Sequence, residues 1–222
     1  VLGVGFAQAD AISKVAAEFP DTKFSIIDVS WLDAPNLRQY AFKEHEGSYI
    51  VGVAAAKASK TGKVGFVGGM DIGLIRRFAC GYVGGVKSIN ANAEVYQNMT
   101  GTTPAAWNDP AKGAELTQSQ IDRGADVVYH AAGGTGAGVI QAAADAGKLA
   151  IGVDSNQNGM APGSVLTSML KRVDVAAYET FMDVKNGNFS AGVHVLGLAE
   201  GGVDWALDEN NASLVTADMK AA

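Results

Sequence analysis

The residues best placed to do chemistry are a glycine run and a set of polar side chains that close apolar stretches. Ala132-Gly133-Gly134-Thr135-Gly136-Ala137-Gly138 follows the apolar stretch DVVYHA and opens a helical pattern. Glycines there leave backbone N–H groups bare at a helix N-terminus, where the helix dipole favours an anion or an electronegative oxygen. The spacing matches neither the dinucleotide signature G-x-G-x-x-G nor the phosphate loop G-x-x-x-x-G-K-[ST]. Backbone contact with a neutral polar ligand is therefore favoured over a phosphate cradle, with a plain tight turn as the alternative. Asp10, Asp71, His130 and Asp154 fall just past the ends of apolar strand patterns, the edge at which open α/β sheets bind ligands. A carboxylate there accepts hydrogen bonds from sugar hydroxyls or ring N–H groups. Taken singly, each Asp reads better as a helix N-cap; together the four polar residues point to a shared cleft. Trp107 lies in a loop beside Asn108 and Asp109, where it either stacks on a planar ligand or plugs the core. Trp31 and Trp205 read as packing residues. The pair Lys171-Arg172 follows the strand pattern VLTSML and either fixes a ligand oxygen or covers the surface.

Catalytic sets are not legible. Histidines at 45, 130 and 194 lack metal-ligand spacing, and no G-x-S-x-G elbow occurs. Cys80 sits on an apolar helical face (FACGYVGGV) and is expected to be buried.

The elements that position these residues alternate. Strands are expected at 1–6, 23–29, 37–43, 63–67, 94–100, 126–131, 149–153, 165–169 and 190–198, and helices at 7–19, 46–59, 72–89, 110–123, 139–146 and 173–185. Asp109-Pro110 starts a helix, since Asp caps and Pro suits the first helical position; Asn186-Gly187 stops one. Near-continuous apolar strands alternating with helices imply a parallel sheet covered on both faces. About nine strands in 222 residues favour two lobes over one sheet. A polar, irregular tail follows residue 198.

Composition narrows the classes. The chain is 48% hydrophobic and 18% charged, too apolar for intrinsic disorder. A net charge of -6 gives no support to nucleic-acid binding. A single cysteine excludes an internal disulfide framework. No apolar run reaches transmembrane length, and the opening VLGVGF is not a signal peptide.

The runs GFVGGMDIGLIRRFACGYVGGVKSIN, WNDPAKGAEL, GADVVYHAAGGTGAGVIQAAADAGK and AIGVDSNQN, with VLTSMLKRVDVAAY, GVGFAQADAI and FKEHEGSYIVGVAAAKASKTGKVGF, resemble the basic membrane protein family from Val1 to about Trp205. These are substrate-binding proteins of ABC transporters, among them purine nucleoside receptor lipoproteins. The resemblance implies a type I periplasmic binding protein fold, α/β, with two doubly wound parallel-sheet lobes. Residues 1–60 and 164–187 would form the first lobe, and residues 61–163 and 188–222 the second. It also implies a nucleoside, purine by preference, held between the lobes without catalysis or cofactor, and delivery to an ABC permease in the periplasm or on the outer face of the membrane. By resemblance Trp107 stacks on the base, Asp154 and Lys171 contact the nucleoside, Asp10 is the first-lobe contact, and Gly133 and Gly134 form a backbone wall; His130 and Asp71 are further contacts. Family members carry a longer N-terminal portion, with a signal peptide or lipobox and leading strands. The first lobe is therefore expected to be incomplete, with exposed sheet edges that invite a homo-oligomer. The rival reading is a Rossmann-type enzyme using GGTGAG on a dinucleotide, with Asp154 near the distance of its acidic residue.

Overall fold

A computed structural model describes residues 1–222. Its elements run β1 (Leu2–Val4), α1 (Ala9–Glu18), β2 (Phe24–Ile27), β3 (Leu37–Phe42), α2 (Glu44–Ala58), β4 (Lys63–Met70), α3 (Gly73–Ile89), β5 (Glu94–Gly101), α4 (Pro110–Asp122), β6 (Val127–Ala131), α5 (Gly136–Asp145), β7 (Leu149–Asp154), β8 (Val165–Lys171), α6 (Val173–Asn186), β9 (Gly192–Leu196), β10 (Val203–Trp205) and α7 (Ala217–Ala221). The α/β alternation expected from the sequence is present. Two elements were not expected: the three-residue β10 and the short α7, both inside the tail read as irregular. The helix after the glycine run also begins earlier, at Gly136.

The chain divides into two units, Val1–Lys43 with Arg172–Val203, and Glu44–Lys171 with Asp204–Ala222. In the first, four strands run in the order β1-β2-β3-β9, all parallel. Alternation along the strands sorts the residues by face. Phe24, Ile26 and Leu37 pack with Ile12 and Ala16 of α1. The intervening Ser25 and Tyr40 meet Thr180 of α6. Arg38 is fully buried there. Its guanidinium is satisfied by Asp183 Oδ2 at 2.7 Å, Tyr40 OH at 3.2 Å and the Ser190 carbonyl at 2.9 Å, which is what a buried charge requires. β1 is an edge strand. Beside it a groove of about 400 Å³ is lined by Val1, Ile12, Val15, Phe19 and Phe24 among others.

In the second unit six strands run β10-β8-β7-β6-β4-β5. The four pairings from β8 to β5 are parallel. Val67 and Val128 pack with Tyr96 and Val139 on one face, with Leu116 of α4 against them. Phe66 and Tyr129 point to the other face, where they meet Tyr82 of α3 at centroid distances of 6.4 and 5.2 Å respectively. On that face α2 and α3 lie backbone to backbone. A Cβ at Gly81 would strike the His45 carbonyl, one at Gly85 the Tyr49 carbonyl, and one at Gly52 the Tyr82 carbonyl. No helix is long and apolar enough to cross a membrane.

Two packing expectations are corrected. Cys80 is exposed, because Gly81 and Tyr82 take the α2-facing side of α3 and turn the cysteine outward. Trp31 is 63% exposed: it lies in the irregular segment after β2, while Leu32 beside it is tied down by its backbone to the Gln39 amide.

Candidate functional site

The carboxyl-end rim of the second unit collects most of the sequence candidates. Asp71 follows β4, Gly133 and Gly134 follow β6, Asp154 ends β7 and Lys171 ends β8. The register pairs Asp154 with Leu170, so Asp154 and Lys171 stand one residue apart on adjacent strands. Asp10 is separate. It lies exposed in the first turn of α1, in the first unit.

Trp107 closes a short 3-10 turn, Pro104–Trp107. Proline fixes its start, and Asp109 ends it by accepting from the Lys112 amide at 2.9 Å, capping α4 as its spacing predicts. The ring is half-buried and lies against two glycines. A Cβ at Gly69 would overlap the ring, and one at Gly133 would sit 3.7 Å from Cε3 and 3.2 Å from the Trp107 carbonyl. Gly133 also holds φ +57, a left-handed conformation glycine adopts without steric cost. The rest of the run has other work. Gly136 makes room for the His130 ring, and Gly138 for the Pro110 backbone. The glycines thus divide into two exposed ones at the rim and two buried ones that let α5 approach its neighbours.

Asp154 holds φ +66, uncommon for a non-glycine residue and tolerated best by Asp and Asn. The turn behind it is tied down. Gln157 Oε1 accepts from the Val153 amide at 2.8 Å and faces His130 Nε2 at 2.9 Å, and the Gln157 amide donates to Ser168 Oγ at 2.9 Å. His130 is fully buried, and burial pushes its pKa down to about 4, with the bond to Gln157 opposing the shift. The ring is therefore neutral near neutrality. Donation from Nε2 to Gln157 leaves Nδ1 unprotonated, and Nδ1 has no hydrogen-bond partner. Asp71 is held in a two-point pair with Arg76, at 2.7 and 2.9 Å, which lowers its pKa. Lys171 is 7% exposed; its ammonium lies 3.4 Å from Glu44 Oε1. No group of His, Cys, Asp and Glu is arranged to hold a metal ion.

The family model described as ABC transporter substrate-binding protein PnrA-like (Bmp) matches residues 1–222. The chain belongs to the Bmp family. Among its relatives, the ABC transporter nucleoside-binding protein BmpA of Lactococcus lactis subsp. cremoris is 36% identical over 239 residues, covering all of this chain and 67% of that protein. Basic membrane protein D of Borreliella burgdorferi is 35% identical over 217 residues, covering 95% of this chain and 62% of that protein. The crystal structure of an ABC transporter solute-binding protein from Aeropyrum pernix superposes with a TM-score of 0.83 at 34% identity, covering 93% of this chain and 60% of that one. The α/β fold with parallel-sheet lobes is thus that of solute-binding proteins, and this Bmp-family chain spans about two thirds of the length of these relatives.

Three residues of the Bmp chain escaped the sequence reading. Asp28 follows β2 with φ +67, the same backbone as Asp154; a strand closing on Asp was the available signal. Gln157 was quoted in its turn without a role. Glu44 falls just ahead of the helix expected at 46–59 and was given no role, whereas the helix begins at Glu44 itself.

Proposed function

We propose that this chain is the solute-binding component of an ABC importer, and that the rim of the second unit binds a nucleoside, purine by preference, for delivery to a membrane permease on the extracytoplasmic side. One observation carries the reading. Adjacent strands β4, β6, β7 and β8, with the turn after β5, bring an aromatic ring, bare glycine backbone, a carboxylate and an ammonium to one edge. Strands stand about 4.8 Å apart, so β6 to β8 spans roughly 10 Å, room for a base and its sugar side by side. Trp107 stacks on the base. Asp154 accepts from ring N–H or ribose hydroxyls, and Lys171 donates to an acceptor oxygen. Asp10 is the contact proposed for the first unit. Support also comes from the relative named as a nucleoside-binding protein. The glycine run supports a dinucleotide enzyme less well, since Gly136 and Gly138 are spent on packing. Binding proceeds without bond making or breaking.

Trp107→Ala tests the stacking. Base–aromatic stacking is worth about 1–3 kcal/mol, so the variant is expected to bind adenosine or guanosine roughly 10- to 100-fold more weakly, while Trp107→Phe keeps most of the affinity. Fluorescence titration checks this. Equal affinity in Trp107→Ala and the unaltered protein would remove Trp107 from the site.

A further inference from the structure

Glu44 opens α2 and is completely buried. A carboxylate in that setting persists only when paired, and two cations from other elements meet it. Arg77 of α3 donates through Nε to Oε2 at 2.8 Å. Lys171, the last residue of β8, brings its ammonium to 3.4 Å from Oε1. The same ammonium lies 5.8 Å from the centroid of the Phe78 ring. Oε1 has no hydrogen-bond partner, so its pairing with Lys171 is electrostatic. Glu44 is thus shared between two cations.

We infer that Glu44 is a positioning residue for the solute site: as the shared counter-ion of Arg77 and Lys171, it holds the Lys171 ammonium at the carboxyl-end rim, where it donates to an acceptor oxygen of the solute. This rests on the nucleoside reading above. Lysine is a compact charge on a flexible four-carbon stem, and without a fixed anion it extends toward water. Glu44 is fixed at its own end. It begins a helix packed backbone to backbone on α3, and Arg77, on that same α3, grips its second oxygen. The arrangement also sorts the solute's atoms. Asp154 selects donors, and the Glu44-held Lys171 selects a carbonyl or hydroxyl oxygen one strand away.

Glu44→Gln keeps the shape and removes the charge. Nucleoside affinity is expected to fall at least about tenfold, in line with loss of a charged hydrogen bond, and the loss is expected to vanish in the background of Lys171→Met: the double variant binds no more weakly than Lys171→Met alone. A purely structural Glu44 would give additive losses instead. If the unaltered protein and Glu44→Gln bind equally, the positioning role is overturned and the nucleoside reading stands. If the unaltered protein binds no nucleoside, the reading fails by itself, and the crystal structure of Glu44→Gln decides the positioning role: Lys171 is expected to leave its place beside residue 44, and an unmoved ammonium overturns it. Arg77→Gln, altered at a half-exposed side chain, keeps the test available if Glu44→Gln does not fold; a threefold or greater loss that again disappears with Lys171→Met supports the role, and additive or absent losses overturn it.

Discussion

Gly85→Ala is expected to destabilise the protein by about 3 kcal/mol, at the upper end of what overpacking costs, whereas Gly84→Ala, one residue earlier on the same helix, is expected to stabilise it by up to about 1 kcal/mol. Both changes gain the helix propensity that alanine has over glycine. They differ in what the new methyl group meets. At Gly85 it runs into the Tyr49 carbonyl and lies 2.9 Å from the Val53 amide nitrogen, atoms of the α2 backbone that cannot rotate away. At Gly84 it meets only the Tyr49 ring, at 3.4 Å, an ordinary contact. Gly81 and Gly52 continue the same seam, so the two helices have to part along their length to admit one methyl at Gly85. Urea denaturation of the two variants reads both signs, and a neutral Gly85→Ala would show that the helices are not in backbone contact.

Lowering the pH from 6.5 to about 5 is expected to remove on the order of 2 kcal/mol of stability through His130. The folded pKa of about 4 lies below the ordinary 6.5. In that window the unfolded chain takes up a proton that the folded chain refuses, so the unfolded state gains as pH falls. The loss levels off below about pH 4, where both states are protonated at this site. Carboxylates stay largely ionised above pH 5, which isolates the histidines. His194, lowered by burial and by Arg38, adds to the slope, and His130→Asn keeps a donor for Gln157 while removing the His130 part. Stability measured at several pH values in the two proteins checks this: the variant is expected to show a clearly flatter profile, and identical profiles would mean that His130 titrates normally. The turn carrying Asp154 hangs on the same ring through Gln157, so acid is expected to loosen the rim as well as the core.

Much of the architecture was legible because it rests on local signals. Asp109-Pro110 starts α4, and Gly187 ends α6 in a left-handed conformation. Strand ends were expected at 67 and 153, three and one residues short of Met70 and Asp154, which still put Asp71 and Asp154 just beyond strand ends. β10 was hidden because three residues carry no periodicity. The purpose of Gly52, Gly81 and Gly85 was hidden for a different reason: a glycine is required there by a backbone distant in sequence, and no neighbour in the chain announces it. Glu44 is the same case in charge rather than size. Its burial depends on Arg77 and Lys171, which come 33 and 127 positions later. Trp31 and Cys80 misled because an apolar neighbourhood in sequence does not fix which way one side chain turns.

The second unit's rim is proposed to take up a nucleoside. Isothermal titration of the unaltered protein with adenosine, guanosine, inosine, uridine, free bases, sugars and NAD tests it most directly. Saturable one-to-one binding of at least one purine nucleoside, tighter than that of NAD, is expected. Binding of NAD with no response to any nucleoside would contradict it.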